Sequence, residues 1–148
     1  MPKLFNTNII AVLLATITFF MFGWIWYGLL FEDVWLAAEG ITQEVASQHL
    51  EEIGMVTWLV SALLLTLGQA VGVLMVIHHV GAKKLPACLK AAFWLAVTIP
   101  LPLLANGSVY DGYPLSGFLI DASHILIGYL LMAEIYAAFR GKGAVDGA

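Results

Sequence analysis

The chain has 148 residues, of which 61% are hydrophobic and only 11% are charged. A soluble domain has about a quarter of its residues charged, so this chain cannot cover a water-facing surface and must have the bilayer as its main solvent. The net charge of -4 and the lack of a basic face exclude a nucleic-acid partner, and too few polar residues remain for a separate soluble domain.

The first apolar run extends from about residue 9 to residue 31 and contains no charged residue. At about 1.5 Å per residue, it is long enough to cross a hydrocarbon core about 30 Å thick. It is too long for the apolar part of a signal peptide, and no small-residue cleavage site follows it, so a retained transmembrane helix is predicted. Aromatic residues typical of an interfacial belt gather near its end: Trp24, Trp26, Tyr27 and Trp35.

The segment of residues 32–52 is the longest polar stretch, with acidic residues but no lysine or arginine. Gly40 interrupts it, and Thr42 is suited to cap a new helix. We therefore predict a short extracytoplasmic helical piece over about residues 34–38. A second, water-exposed helix is predicted to start near Gln43 and to run on into the second span.

The second span is predicted over about residues 53–78. It contains Gly68 and Gly72, whose spacing suits close packing against another helix, although the motif is also common by chance in apolar helices. Gln69 lies between them near the middle of the span, where a side-chain amide usually forms a hydrogen bond across helices.

The third span is predicted over about residues 87–104, the shortest of the four. Pro100 and Pro102 lie near its end, and they are expected to kink or terminate the helix because proline lacks a backbone donor. Residues 106–114 contain Asn-Gly, Asp-Gly and Tyr-Pro pairs, which predict a turn. The fourth span is predicted over about residues 115–139.

Four spans place every basic residue on one side of the membrane. The six are Lys3, Lys83, Lys84, Lys90, Arg140 and Lys142. Cytoplasmic loops carry the excess of lysine and arginine, so both chain ends are predicted to be cytoplasmic, and we expect a bacterial inner membrane. The predicted fold is an all-α integral membrane four-helix bundle with a short extracytoplasmic helical segment between the first and second helices.

Ionisable residues inside a bilayer cost about 2.5–3.5 kcal/mol on insertion scales, so each requires a reason. The fourth helix carries Asp121 and His124, which are three residues apart and share a face. This pair could be a proton relay, a ligand clamp or a structural hydrogen bond, and the sequence leaves a structural and a functional role open. Glu134, near the cytoplasmic end, is interpreted as the partner of a nearby basic residue.

The aromatic residues Trp26 and Tyr27 lie at the same outer depth as Asp121 and His124. They are interpreted either as a membrane belt alone or as one wall of a pocket between the first and fourth helices. The adjacent histidines His78 and His79 point about 100° apart on a helix, and no further ligand at metal spacing accompanies them. No catalytic residue, metal site or cofactor is therefore predicted.

Two segments resemble the family of small membrane proteins called domain of unknown function 1761. Residues 23–31 (GWIWYGLLF), with Trp35 after them, are similar to its amino-terminal pattern of glycine, Trp-Tyr, phenylalanine and a later tryptophan. Leu29 stands where that family often has proline. Residues 118–124 (FLIDASH) are similar to its closing helix, in which a polar residue often stands at the position of Asp121. The resemblance implies four spans and no assigned activity.

The leading hypothesis is a non-enzymatic membrane protein that binds a small apolar or amphipathic, lipid-like ligand, or a partner helix, near the outer leaflet. The candidate ligand-binding residues are Trp26, Tyr27, Asp121 and His124. Small-residue helix faces predict a homo-oligomer, with a dimer as the first expectation. The alternative is a small proton-coupled transporter that uses Asp121 or Glu134. An enzyme acting on a lipid or quinone is least favoured, because no nucleophile–base pair is present.

Overall fold

The computed structural model describes residues 3–4 and 7–140, and nearly all of them are helical. Four helical stretches are long and apolar enough to cross a membrane: Ile9–Leu30, Met55–His79, Leu85–Tyr110 and Leu115–Phe139. The predicted all-α, four-span architecture is therefore confirmed. Of the basic residues used to predict orientation, Lys142 lies outside the described residues.

The first span combines an α-helix with a π-helical turn. Two short antiparallel strands, β1 (Lys3–Leu4) and β2 (Thr7–Asn8), precede helix α1 (Ile9–Ile25), and the Asn8 side chain accepts a hydrogen bond from the Ile10 N–H at 3.0 Å. The span then widens into the π turn Trp26–Leu30. Single π turns inside α-helices are rare overall, and those that do occur are often found at functional sites.

Two short helices follow on the side of the membrane where the first span ends. Helix α2 (Glu32–Glu39) terminates at Gly40, whose φ of 70° is left-handed, and α3 (Gln43–Ile53) begins at Thr42, whose side chain accepts from the Val45 N–H at 3.3 Å. The prediction that α3 runs on into the second span is wrong. Gly54, with φ 84° and ψ 134°, breaks the helix there, a conformation that favours glycine.

The second, third and fourth spans are built from α4 (Met55–His79), α5 (Leu85–Thr98), α6 (Pro100–Tyr110) and α7 (Leu115–Arg140). The third span does not end at residue 104 as predicted. The helix breaks at Ile99, where the prolines were expected to act, and restarts immediately. It restarts because Pro100 and Pro102 fall in the first turn of α6, where helical N–H groups have no intrahelical acceptor. Residues 106–110 therefore continue the span as helix.

Helix α7 is the centre of the bundle, since it packs against α1, α4 and α5. Small side chains allow this close approach, and several of them are fully buried at the contacts. These include Ala15 of α1, Ala70 of α4, Ala92 and Ala96 of α5, and Ala133 of α7. Small residues at helix contacts are typical of membrane bundles, where dispersion contacts replace the hydrophobic effect.

The glycines of the bundle differ in what they contact. The buried Gly128 of α7 lies directly under the Phe19 ring of α1, so closely that a Cβ atom at this position would overlap the ring. Gly68 and Gly72 of α4 instead face open space within the chain, because a Cβ atom added at either position would have no neighbour within 4 Å. Their contact with a second copy of the chain stays a prediction.

We expect Gly128→Ala to lower the free energy of unfolding by about 1–3 kcal/mol, because overpacking must displace Phe19 or separate α1 from α7. Gly72→Ala is the matched control and should be neutral or slightly stabilising, since alanine favours helix and the position is open. Equilibrium unfolding by sodium dodecyl sulfate in mixed micelles, followed by circular dichroism, measures both. Equal midpoints for the two variants would contradict the close α1–α7 contact.

Candidate functional site

The π turn attaches the first span to α7 through two consecutive side chains. The Tyr27 hydroxyl donates a hydrogen bond to the Asp121 Oδ1 atom at 2.9 Å. The Trp26 indole Nε1–H donates to the backbone carbonyl oxygen of Ile120 at 3.1 Å. Both aromatic residues therefore act as polar anchors as well as apolar surface, which is how buried tyrosine and tryptophan usually satisfy their polar atoms.

A second tyrosine completes the hydrogen bonding of Asp121. The Tyr113 hydroxyl, from the turn before α7, lies 3.0 Å from Asp121 Oδ2 and 3.0 Å from Glu39 Oε1. A phenol has a single hydrogen, so it donates to one of the two carboxylates at a time. We call the group Tyr27, Glu39, Tyr113 and Asp121 the outer cluster. It joins the π turn, α2 and α7 at one end of the bundle.

The Tyr113 phenol is held in its protonated form by its surroundings. Burial raises the pKa of Tyr113 above its ordinary value, and hydrogen bonding to Asp121 and Glu39, with their negative charges, raises that pKa further. Tyr113 therefore remains a hydrogen-bond donor throughout the physiological pH range. The hydrogen bonding of Asp121 with Tyr27 and Tyr113 favours a structural role for its carboxylate over a proton relay.

His124 does not form a hydrogen bond with Asp121 but is enclosed by aromatic rings. Its imidazole stacks on Phe19 with a centroid distance of 4.8 Å and on Phe22 at 5.2 Å, and Tyr27 lies at 4.8 Å. Within the described part of the chain, the buried Nε2 atom has no hydrogen-bond partner. A buried polar atom without a partner is costly, so it requires an explanation.

A cavity of about 790 Å³ lies next to this histidine, between α1 and α4 and beneath α3. Ligand sites for small molecules typically measure about 300–1,000 Å³ and are mostly apolar and aromatic. The lining is dominated by aromatic side chains from several helices: Phe19, Phe20, Trp24, Tyr27, Trp35 and Trp58. The cavity thus has the size and the surface of a binding site for a small molecule.

Polar groups are few in this cavity, and none of the described lining residues is an aspartate, glutamate, lysine or arginine. Besides the tyrosine hydroxyl and the tryptophan indoles, the polar side chains are those of His124, Gln69, Thr66 and His49. The Thr66 hydroxyl already donates to the Ala62 carbonyl oxygen at 2.7 Å. Gln69 has no partner among the described residues, so the cross-helix hydrogen bond expected for it is not formed within the chain.

The four candidate ligand-binding residues lie together, as the shared depth of the first and fourth helices suggested. They divide into two groups, however. Tyr27 and His124 line the cavity, whereas Trp26 and Asp121 do not line it and instead connect the first span to α7. Glu134 is exposed on the surface of α7 and forms no ion pair with any described residue.

Sequence reasoning missed the contribution of α3. Val45, Ala46, His49 and Leu50 line the cavity, and their spacing places them on one face of that helix. That spacing was visible in the sequence and could have indicated a face directed at the bundle. The contribution of Trp58 was not visible, because it depends on how α4 lies beside α1.

Other chemically interesting residues do not form a second centre in the described part of the chain. The His78 Nδ1 atom lies 3.1 Å from the Tyr136 hydroxyl, whereas the neighbouring His79 Nδ1 lies 2.9 Å from the Met75 carbonyl oxygen. Among described residues, no group of three or more histidine, cysteine or acidic side chains could hold a metal ion. Cys88 is a fully buried thiol whose Sγ donates to the Ala82 carbonyl oxygen at 3.7 Å.

A family model described as "Protein of unknown function (DUF1761)" matches residues 10–137. The match spans all four membrane helices almost completely. No curated protein and no solved structure matches the chain.

We expect Tyr27→Phe to lower the free energy of unfolding by about 1–3 kcal/mol, because it leaves one Asp121 carboxylate oxygen without its donor. Tyr110→Phe is the matched control, since Tyr110 is 80% exposed and should tolerate the change. Unfolding in mixed micelles measures both. If the two variants unfold alike, the Tyr27–Asp121 hydrogen bond does not stabilise the bundle.

Proposed function

The chain belongs to the DUF1761 family of proteins of unknown function, and we propose that it is a membrane protein that binds a small, uncharged, lipid-like molecule. The observation that supports this most directly is the aromatic cavity between α1, α3 and α4, with the unpartnered His124 imidazole in its wall. The proposed role is non-enzymatic.

The lining of the cavity favours an apolar body for the ligand. Its aromatic rings offer large, rigid contact surfaces, and each aromatic pair adds about 0.5–1.5 kcal/mol beyond the area that it buries. Trp24 and Trp58 are both partly exposed, at 54% and 40%, so a ligand between α1 and α4 would cover apolar surface that the chain leaves open. A flat ring system or a short acyl chain matches these walls.

The absence of acids, lysines and arginines from the described lining limits which polar head group a ligand can carry there. A charged group placed there would lose its hydration without meeting an opposite charge, and that desolvation costs several kcal/mol or more. The polar side chains available are mainly the Gln69 amide and the His124 imidazole, which can form hydrogen bonds with a ligand. Hydroxyl and carbonyl groups are therefore the favoured polar features of the ligand.

Proton-coupled transport has no comparable support. Asp121 accepts a hydrogen bond from Tyr27 and lies within hydrogen-bond distance of the Tyr113 hydroxyl, and Glu134 lies on the exposed surface of α7. Neither carboxylate lines the cavity, so no described acid is available to couple a proton to a ligand bound there.

We further propose that the cavity faces the outer leaflet, with both chain ends in the cytoplasm. The α4–α5 loop carries Lys83 and Lys84, whereas the loops at the other end of the bundle carry acidic residues and no described lysine or arginine. This asymmetry supports the orientation through the positive-inside rule.

Single cysteines test the orientation. In a Cys88→Ala background, we expect the exposed position of Asp111→Cys to react with a membrane-impermeant maleimide in intact bacterial cells. Lys84→Cys should react only after the cells are permeabilised. The opposite pattern would reverse the orientation, and mass shifts of the labelled protein measure the result.

The cavity is tested with a photoreactive probe. We expect a diazirine-bearing monoacylglycerol, added to the protein in phosphatidylcholine nanodiscs, to crosslink saturably to cavity residues and to be competed by unlabelled monoacylglycerol. Ala46→Trp places a large side chain into the cavity from α3 and should reduce crosslinking by about tenfold, a loss of about 1.4 kcal/mol in binding.

Gln48→Trp is the matched control, because Gln48 is exposed on the same helix and does not line the cavity. It should crosslink like the unchanged protein. Peptide mapping by mass spectrometry gives the crosslinked positions. Unsaturable crosslinking that is equal in both variants would reject the cavity as a binding site.

A further inference from the structure

A second groove lies at the opposite end of the bundle, and we propose that it binds the headgroup and one acyl chain of an anionic phospholipid. The groove has a volume of about 680 Å³ and runs between the end of α4 and the length of α5. It is separate from the aromatic cavity and shares no lining residue with it.

Three lysines border this groove: Lys83, Lys84 and Lys90. All three are exposed, and none of them forms an ion pair with a described carboxylate. The local charge of the groove is therefore strongly positive although the chain as a whole is acidic. A phosphate group complements this charge, and basic pockets between transmembrane helices are typical sites for anionic lipid headgroups.

The start of α5 adds to the attraction for an anion. Lys84 is the N-cap residue, and no side chain caps the helix there. Helix N-termini carry a partial positive charge, which favours phosphate groups. The lysines and the helix end thus supply positive charge at the same place.

The rest of the groove is apolar, which distinguishes a lipid from a free phosphate. Ala87 and Ala91 form a floor of small side chains along α5, and Val76 and Val80 of α4 border the other side. From Lys84 to Thr98 the groove follows α5 for about 21 Å at 1.5 Å per residue. A soluble anion would leave this length empty, whereas an acyl chain would fill it.

Trp94 fits the same interpretation. It lines the groove, is 53% exposed, and follows Lys90 by one helical turn. Tryptophan is typical of the membrane interface, where its ring lies beside lipid carbonyl and upper acyl groups. Trp94 therefore offers a ring surface to the part of the lipid that lies next to its headgroup.

Native mass spectrometry of the full chain in detergent tests the proposal, with palmitoyl-oleoyl phosphatidylglycerol and the matching phosphatidylcholine as probes. We expect one phosphatidylglycerol molecule to bind more tightly than phosphatidylcholine. Removing the lysines with K83Q, K84Q and K90Q together should weaken phosphatidylglycerol by about fivefold per lysine, or roughly a hundredfold in all. Inorganic phosphate should not displace the lipid.

A shape variant separates the groove from general surface charge. Ala87→Trp fills the groove without changing the charge and should weaken phosphatidylglycerol by about tenfold, a loss of about 1.4 kcal/mol in binding. Leu85→Trp is the matched control, because Leu85 is exposed two residues away and does not line the groove. Circular dichroism verifies that each variant remains folded.

Three results would overturn the proposal. They are equal affinities for the two lipids, equal binding by Ala87→Trp and Leu85→Trp, and displacement of phosphatidylglycerol by inorganic phosphate. The aromatic cavity has its own probe and its own variants, so either site can fail without the other.

Discussion

The contact of Phe19 with α7 organises the half of the bundle that contains the outer cluster. The Phe19 ring lies over Gly128, which has no side chain to obstruct it, and stacks against His124 one turn earlier in α7. Without this approach, α1 could not lie close enough to α7 for the Trp26 and Tyr27 side chains to reach their acceptors. In a membrane, such close packing is a main source of helix association, since lipid and protein side chains are equally apolar.

The same contact explains why a cavity forms beside α1. One face of α1 packs against α7, and aromatic residues on its neighbouring face line the cavity together with Trp58 of α4. Helix α3 covers the opening but has no buried residue of its own, so it borders the space without filling it. Large rigid rings cannot collapse into such a gap as flexible aliphatic chains can. An aromatic-lined cavity is therefore the physical consequence of tight packing on one side of α1.

The two ends of the molecule have opposite chemistry. Acidic side chains and tyrosine hydroxyls surround the end that contains α2 and α3, where the outer cluster joins three segments. Lysines surround the α4–α5 groove at the other end. Both ends combine an apolar recess with polar groups at the membrane boundary. The described lining of one recess includes no acid, lysine or arginine, whereas three lysines border the other. This difference underlies the proposal that each recess binds a different class of amphipathic molecule.

Much of the architecture followed from local features of the sequence. Run length and the scarcity of charge identified four spans, because the bilayer requires about 20 apolar residues for each crossing. The cap at Thr42, the break near Pro100 and the clustering of Trp26, Tyr27, Asp121 and His124 also followed from local chemistry and topology.

Other features depended on the distances between helices. The break at Gly54 and the continuation of the third span through residues 106–110 arise where a residue tolerates two conformations and its surroundings select one. Tertiary packing alone decided which candidate residues act as anchors and which form the cavity wall. It also decided that Gly128, rather than Gly68 or Gly72, lies at a close helix contact within the chain. A sequence pattern shows which face a residue occupies, whereas packing determines which neighbour that face meets.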